Sequence, residues 1–175
     1  GNKIDIYHRS NFSHNVLLLN YHGPYCDSFT KRYNWRPFGY SKVKTNINLK
    51  NSSISIEHDG FKRINKTISH NRTIKLINNG LVVIDYIEGN GNYNISTLWH
   101  LCLDARISQK KMKYDIFTEK IAIELNSIVS SGKVQTEIYE NAISDKYGSY
   151  ENSKSIMYSY NVSLPIIITT DFKEI

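Results

Sequence analysis

The residues of this chain best able to hold a metal ion or move a proton are its histidines, at positions 8, 14, 22, 58, 70 and 100. None falls in H-E-x-x-H or another compact ligand pattern. No glycine-rich phosphate loop precedes a helix, and no G-x-S-x-G turn presents a nucleophile. Two stretches nevertheless concentrate polar chemistry. In the first, Arg9-Ser10-Asn11-Phe12-Ser13-His14-Asn15, an imidazole and an amide stand directly before the apolar residues 16–19. His14 there could bind a metal or transfer a proton, or His14 and Asn15 could cap the strand by hydrogen bonding. The second is a series: Glu57-His58-Asp59-Gly60, then Ser69-His70-Asn71-Arg72-Thr73, then Asp85, then Trp99-His100. Read singly, Asp59-Gly60 is a turn, Asp85 ends a strand, and His100 beside Trp99 is a hydrogen-bonded core histidine.

The elements that must position these groups are strands. Alternation of apolar and polar residues dominates the chain. Residues 53–57 read S-I-S-I-E, and residues 72–77 place Ile74 and Leu76 on one side. Residues 81–86 are almost continuously apolar, as expected of a strand covered on both faces. Asn78-Asn79-Gly80 between the last two predicts a tight hairpin, because Asn and Gly tolerate positive φ. Residues 93–103 read as a long strand with Ile95, Thr97, Trp99, Leu101 and Leu103 on one face and Leu98, His100 and Cys102 on the other. Further strands are expected at 121–125, 134–140, 155–162 and 165–170. Helical signal is confined to 112–120, which could form a short turn or helix. Many short strands separated by turns predict an all-β fold, an antiparallel β-sandwich, as a single domain over residues 1–175.

Composition narrows the class further. The chain has 175 residues, 40% of them hydrophobic, enough for a core without disulfide support. Cys26 and Cys102 are too few for a disulfide framework or a zinc ribbon and are expected as free, buried thiols. Apolar runs such as 164–168 are too short for a membrane-spanning helix. No signal peptide is visible in the polar residues 1–10, which suggests a start after processing or within a longer protein. A net charge of +6 points to an anionic partner, or simply to a basic surface. The basic residues are dispersed, with Lys110-Lys111 the only adjacent lysines, so nucleic acid is the weakest of these partners and neither nucleic-acid nor membrane binding is expected.

Taken in order, the motifs resemble the C-terminal β-sandwich of heparinase II/III-like polysaccharide lyases. The Arg9–His14 stretch is similar to that family's R-S-T-x-A-H-N-T, with Asn11 for Thr, Ser13 for Ala and Val16 for Thr. The series from Glu57 to His100 is similar to its E-H-D-G-Y, H-x-R, D-x-L-x-G-x-G and F-H-L progression, and Tyr147-Gly148 and Leu164-Pro165 match later landmarks. The resemblance implies a supersandwich-like module of an enzyme that cleaves acidic, uronate-containing polysaccharide by β-elimination. It implies that an N-terminal α-helical toroid, the expected partner domain, supplies most catalytic groups, so no catalytic residue is assigned here and the isolated domain is expected to be inactive. It also implies a structural zinc in the full-length protein, with His14 at the position of one histidine ligand and the others upstream of Gly1. None is expected to be held by this chain alone, because a closed zinc site needs about four ligands. Arg32, Trp35 and Arg36 are candidate contacts to the acidic sugar, the guanidinium groups pairing with carboxylate or sulfate and the indole stacking on a pyranose; otherwise they form a solvated loop. An extracytoplasmic location follows by the same analogy. The alternatives are a stand-alone carbohydrate-binding or structural sandwich and a basic nucleic-acid-binding domain.

Overall fold

A computed structural model describes residues 10–24, 42–144 and 149–175. Twelve antiparallel strands make up most of it: β1 (Leu17–Leu19), β2 (Val43–Asn48), β3 (Ser53–His58), β4 (Ser69–Ile77), β5 (Gly80–Glu88), β6 (Asn92–His100), β7 (Arg106–Lys110), β8 (Lys113–Phe117), β9 (Ala122–Val129), β10 (Val134–Ile143), β11 (Glu151–Ser163) and β12 (Ile166–Glu174). They form two sheets, one of four strands in the order β1-β6-β11-β10 and one of eight in the order β2-β3-β4-β5-β12-β9-β8-β7. Among the described residues no helix is long and apolar enough to cross a membrane.

The core lies between the sheets, and period-2 alternation fills it. From the smaller sheet come Leu17, Leu19, Ile95, Trp99, Ile156, Tyr158, Tyr160 and Val162. From the larger come Val83, Ile87, Tyr114, Ile116, Leu125, Ile166 and Ile168. Each such side chain, fully buried, contributes about 1.5–3 kcal/mol of transfer free energy. The layers are unequal in width. All six residues of β2 are exposed, and Ile47 and Leu76, on the inward face of the larger sheet, are 64% and 61% accessible.

The β4–β5 hairpin forms as its Asn-Gly turn predicts, with Ile77 opposite Gly80, whose φ is +145°. A side chain at Gly80 would collide with the Phe172 carbonyl. Four expectations are corrected. Residues 112–120 form no helix: Lys113–Phe117 is β8, with Tyr114 and Ile116 inward and the turn made by Lys111 at positive φ. The strand after Asn92 stops at His100, which leaves Leu103 exposed. Strand β5 is buried on one face only, since Tyr86 is exposed while Val83, Asp85 and Ile87 point inward. Cys102 is free as expected, but exposed; Cys26 lies outside the described residues.

Candidate functional site

The alternation that puts Ile74 and Leu76 on the inward face of β4 puts Arg72 and His70 there too. Arg72 stands opposite Asp85 of β5, and His70 stands opposite His58 of β3. Three neighbouring strands thus bring four polar side chains together at the inner flank of the larger sheet. Asp85 does not end its strand, as it would if read alone; it sits within β5 and is fully buried.

A buried carboxylate requires partners, and Asp85 has three bonds. Arg72 Nε donates to Oδ1 at 2.7 Å, Arg72 Nη2 to Oδ2 at 3.0 Å, and His70 Nε2 lies 2.7 Å from Oδ1. Burial alone would push this carboxyl up, but the Arg72 charge, followed by the His70 hydrogen bond and charge, holds it down at about 2. Asp85 is therefore ionised, and His70 Nε2 carries the proton donated to it. His70 Nδ1 then accepts from His58 Nε2, 2.9 Å away. His58 Nδ1 in turn accepts from the backbone N–H of Gly60 at 3.2 Å. The tautomers follow from the two fixed ends of the chain, a backbone donor at one and a carboxylate at the other. Burial, and then the nearby His70 and Arg72, pull His58 down to about 4, so it is neutral at pH 7.

Arg72 also spans the two layers. Its Nη1 donates to the Asn15 carbonyl at 2.8 Å, and its guanidinium lies 5.5 Å from the Trp99 ring centroid. The Asn15 side chain accepts from the His100 backbone N–H at 2.7 Å. Asn15 is thus held from both sides, and with it the adjacent His14. This arrangement is the strand-capping role expected for Asn15, performed by its carbonyl as well as its amide. His14 itself is exposed. Next to it, His100 is hydrogen-bonded as expected, with Nδ1 2.7 Å from Asn141 Nδ2 and from Ser155 Oγ, but it lies half-buried on the face of β6 opposite Trp99 and not in the core, and its Nε2 has no partner among the described residues. Burial pulls its imidazole below the ordinary value.

Above the cluster opens a cavity of about 330 Å³, walled by Val16, Leu17, Val43 and Ile56, with His58, His70 and Arg72 among its lining. Its walls are apolar and its imidazoles and guanidinium are already bonded to protein groups. The cluster consequently positions the β1 segment and lacks a free base for proton abstraction.

Among the described residues no three His, Cys, Asp or Glu side chains converge on a common point. His14 can supply one imidazole, and the described residues do not complete a tetrahedral zinc site around it. The sugar contacts Arg32, Trp35 and Arg36 lie outside the described residues. Sequence reading missed the roles of Arg72 and Asp85. The signal for them was the H-x-R spacing in a strand whose next two alternate residues, Ile74 and Leu76, are apolar: that face had to be the inner one.

These features define a two-layer antiparallel sandwich whose narrow layer is tied to the wide one by a buried Arg–Asp–His–His chain. The chain belongs to the heparinase II/III-like C-terminal family, whose sequence profile matches residues 2–171. No match to the sequence is found among curated proteins. Solved structures similar to it include a heparinase III gene product (TM-score 0.72, 12% identity) and a second heparinase III structure (TM-score 0.70, 16% identity). The chain is covered in full by both and spans 26% and 25% of their lengths. A mutant of the heparan sulfate lyase HepC from Pedobacter heparinus matches 98% of this chain and 26% of its own, with a TM-score of 0.67 and 14% identity. At these identities the likeness is one of fold.

Proposed function

We propose that this chain is the β-sandwich module of a polysaccharide lyase acting on acidic, uronate-containing polysaccharide by β-elimination, and that it forms part of the cleft wall without carrying the catalytic set. The observation that supports this reading most is the family match over residues 2–171, joined to a chain length only about a quarter of that of the similar heparinase III structures. The chemistry of the cluster agrees with it. β-Elimination needs a base near the proton α to the uronate carboxyl, an acid for the leaving oxygen, and a group that neutralises the carboxylate. In the one charged cluster of the inner flank, both nitrogens of His58 and of His70 are engaged, and Asp85 is saturated by Arg72. A helical domain on the same polypeptide would supply those groups, and Arg32, Trp35 and Arg36 are proposed to contact the sugar.

The test is to incubate the chain with uronate polysaccharides and follow the absorbance of the unsaturated product. No turnover is expected from the chain alone, and turnover is expected once the remainder of its polypeptide is present. Turnover by residues 1–175 alone would overturn the proposal, because the catalytic set would then have to lie within them.

A further inference from the structure

The unequal layers leave a step at the flank of the sandwich. The narrow layer ends at β1, which Arg72 ties over β4, whereas the wide sheet runs on through β3 to β2. There one row of inward side chains passes from core to solvent. Val83 of β5 is buried, Ile74 of β4 and Ile54 of β3 are half-buried, and Ile47 of β2 is exposed, each directly opposite the next. The adjacent row repeats the gradient, from half-buried Leu81 to exposed Leu76. On the other side of the first row, exposed Val43 and half-buried Ile56 line the 330 Å³ cavity together with Val16 and Leu17 of the β1 segment. Apart from the neutral His58, the inward residues of β2 and β3 carry no ionisable group. Lys44 and Glu57 pair at 3.5 Å on the opposite face.

A row of exposed aliphatic side chains at a sheet edge marks an interaction surface. Nothing on this face rewards a charged partner, so its cover is apolar. The step is about one sheet spacing, roughly 10 Å, deep, which matches a single helix or strand layer and not a second folded sandwich. A strand added to β1 would gain little, because both backbone groups of Leu19 are taken by His22 and the Asn15 carbonyl by Arg72. The cover is therefore held by side chains. From this geometry we infer that the step is the docking face for an apolar segment of the same polypeptide lying outside residues 1–175. Such a segment would continue the existing interface between the layers, extending the core row from Val83 out to Ile47. The chain spans 26% and 25% of the two similar heparinase III structures, so a polypeptide of their length has ample chain to supply it. The inference rests on the reading of residues 1–175 as a module of a longer chain.

The test uses the full polypeptide with the photoreactive residue benzoylphenylalanine in place of Leu76. Irradiation is expected to join position 76 to residues outside 1–175 in the same molecule, with a yield independent of protein concentration. Adding Ile47→Asp should lower that yield severalfold and lower the melting temperature, because a carboxylate would be buried there without a partner. Cross-links only to residues within 1–175 would overturn the inference. So would a yield that rises with concentration, as a second copy on this face would give, the absence of any cross-link, or a yield unchanged by Ile47→Asp. Release of unsaturated product by the full polypeptide is followed alongside. Its absence would remove the lyase reading, while the cross-links decide the docking face separately.

Discussion

Two polar clusters lie inside this sandwich, and they solve the cost of burial in opposite ways. At the flank, Asp85, Arg72, His70 and His58 form a chain built on a full charge. Between the layers, Ser127 Oγ of β9 bonds Tyr160 OH of β11 at 2.5 Å and Thr170 Oγ1 of β12 at 2.7 Å, with no formal charge. Burial pushes the Tyr160 phenol up to about 12, so this trio stays neutral across the working pH range. A hydroxyl trio is inexpensive to bury and indifferent to pH. A charged chain is costly to leave incomplete and depends on protonation. Both reach across the layers, the trio through Tyr160 of β11 in the middle of the sandwich and the charged chain through Arg72 to Asn15 and Trp99 at its flank. The comparison teaches that charge is used here where a short, three-residue strand must be fixed in place, and hydroxyl pairs where packing already fixes the strands.

The largest expected effect comes from breaking the charged chain. Asp85→Ala leaves a buried guanidinium without its carboxylate and should cost about 3–5 kcal/mol in urea denaturation, with the NMR signals of residues 14–19 displaced. An intact melting temperature in that variant would remove the contrast altogether.

Acid is the next lever, and its sign follows from the two groups of the charged chain that are shifted, His58 and Asp85. His58 titrates at about 4 in the folded protein against about 6.5 when free, so the unfolded chain binds the proton first. Stability is therefore lost as pH falls from about 6.5 to about 4, by roughly 2–3 kcal/mol after allowing for partial solvent access. Asp85, held at about 2 against an ordinary 3.8, adds a second loss as pH falls below 3.8. In His58→Leu the first loss should shrink to the part that His100, also held below its ordinary value by burial, contributes, and the second should remain, which melting curves between pH 7 and pH 3 would separate.

Breaking the neutral trio should cost less. Ser127→Ala removes the shared hydroxyl and should destabilise by about 1–2 kcal/mol, by the same amount at pH 7 and pH 4.5. The smallest effect is expected from Thr170→Val, about 1 kcal/mol or less, because Tyr160 and Ser127 remain paired. A pH-dependent penalty in either variant would show that the two clusters titrate as one unit, which sharpens the comparison to a single network.

Much of this architecture was legible in local pattern. The S-I-S-I-E alternation of β3, the Asn-Asn-Gly turn of the β4–β5 hairpin and the alternation of residues 156–162 all reflect backbone and burial preferences that neighbours three or four residues away can express. The strand at 113–117 was not legible. Its lysines, tyrosine and aspartate gain a clear inward face only once Ile107 and Ile123 lie on either side of Ile116. Leu103 was misplaced for a related reason: alternation continues in the sequence past the point where the pairing of β6 with β11 ends, at His100.

The sequence by itself determined that most of the strands form, which residues of β3, β4 and β11 alternate together, and that His70 and Arg72 share a face. Only the tertiary structure decided that Asp85 and His58, from the two flanking strands, meet them, that both ring nitrogens of His58 and of His70 are engaged, and that Arg72 ties Asn15 to the wide layer. The reason is physical. Alternation is a property of one strand, whereas a hydrogen-bonded charge network exists only when strand register sets side chains from 58, 70, 72 and 85 within bonding distance of one another.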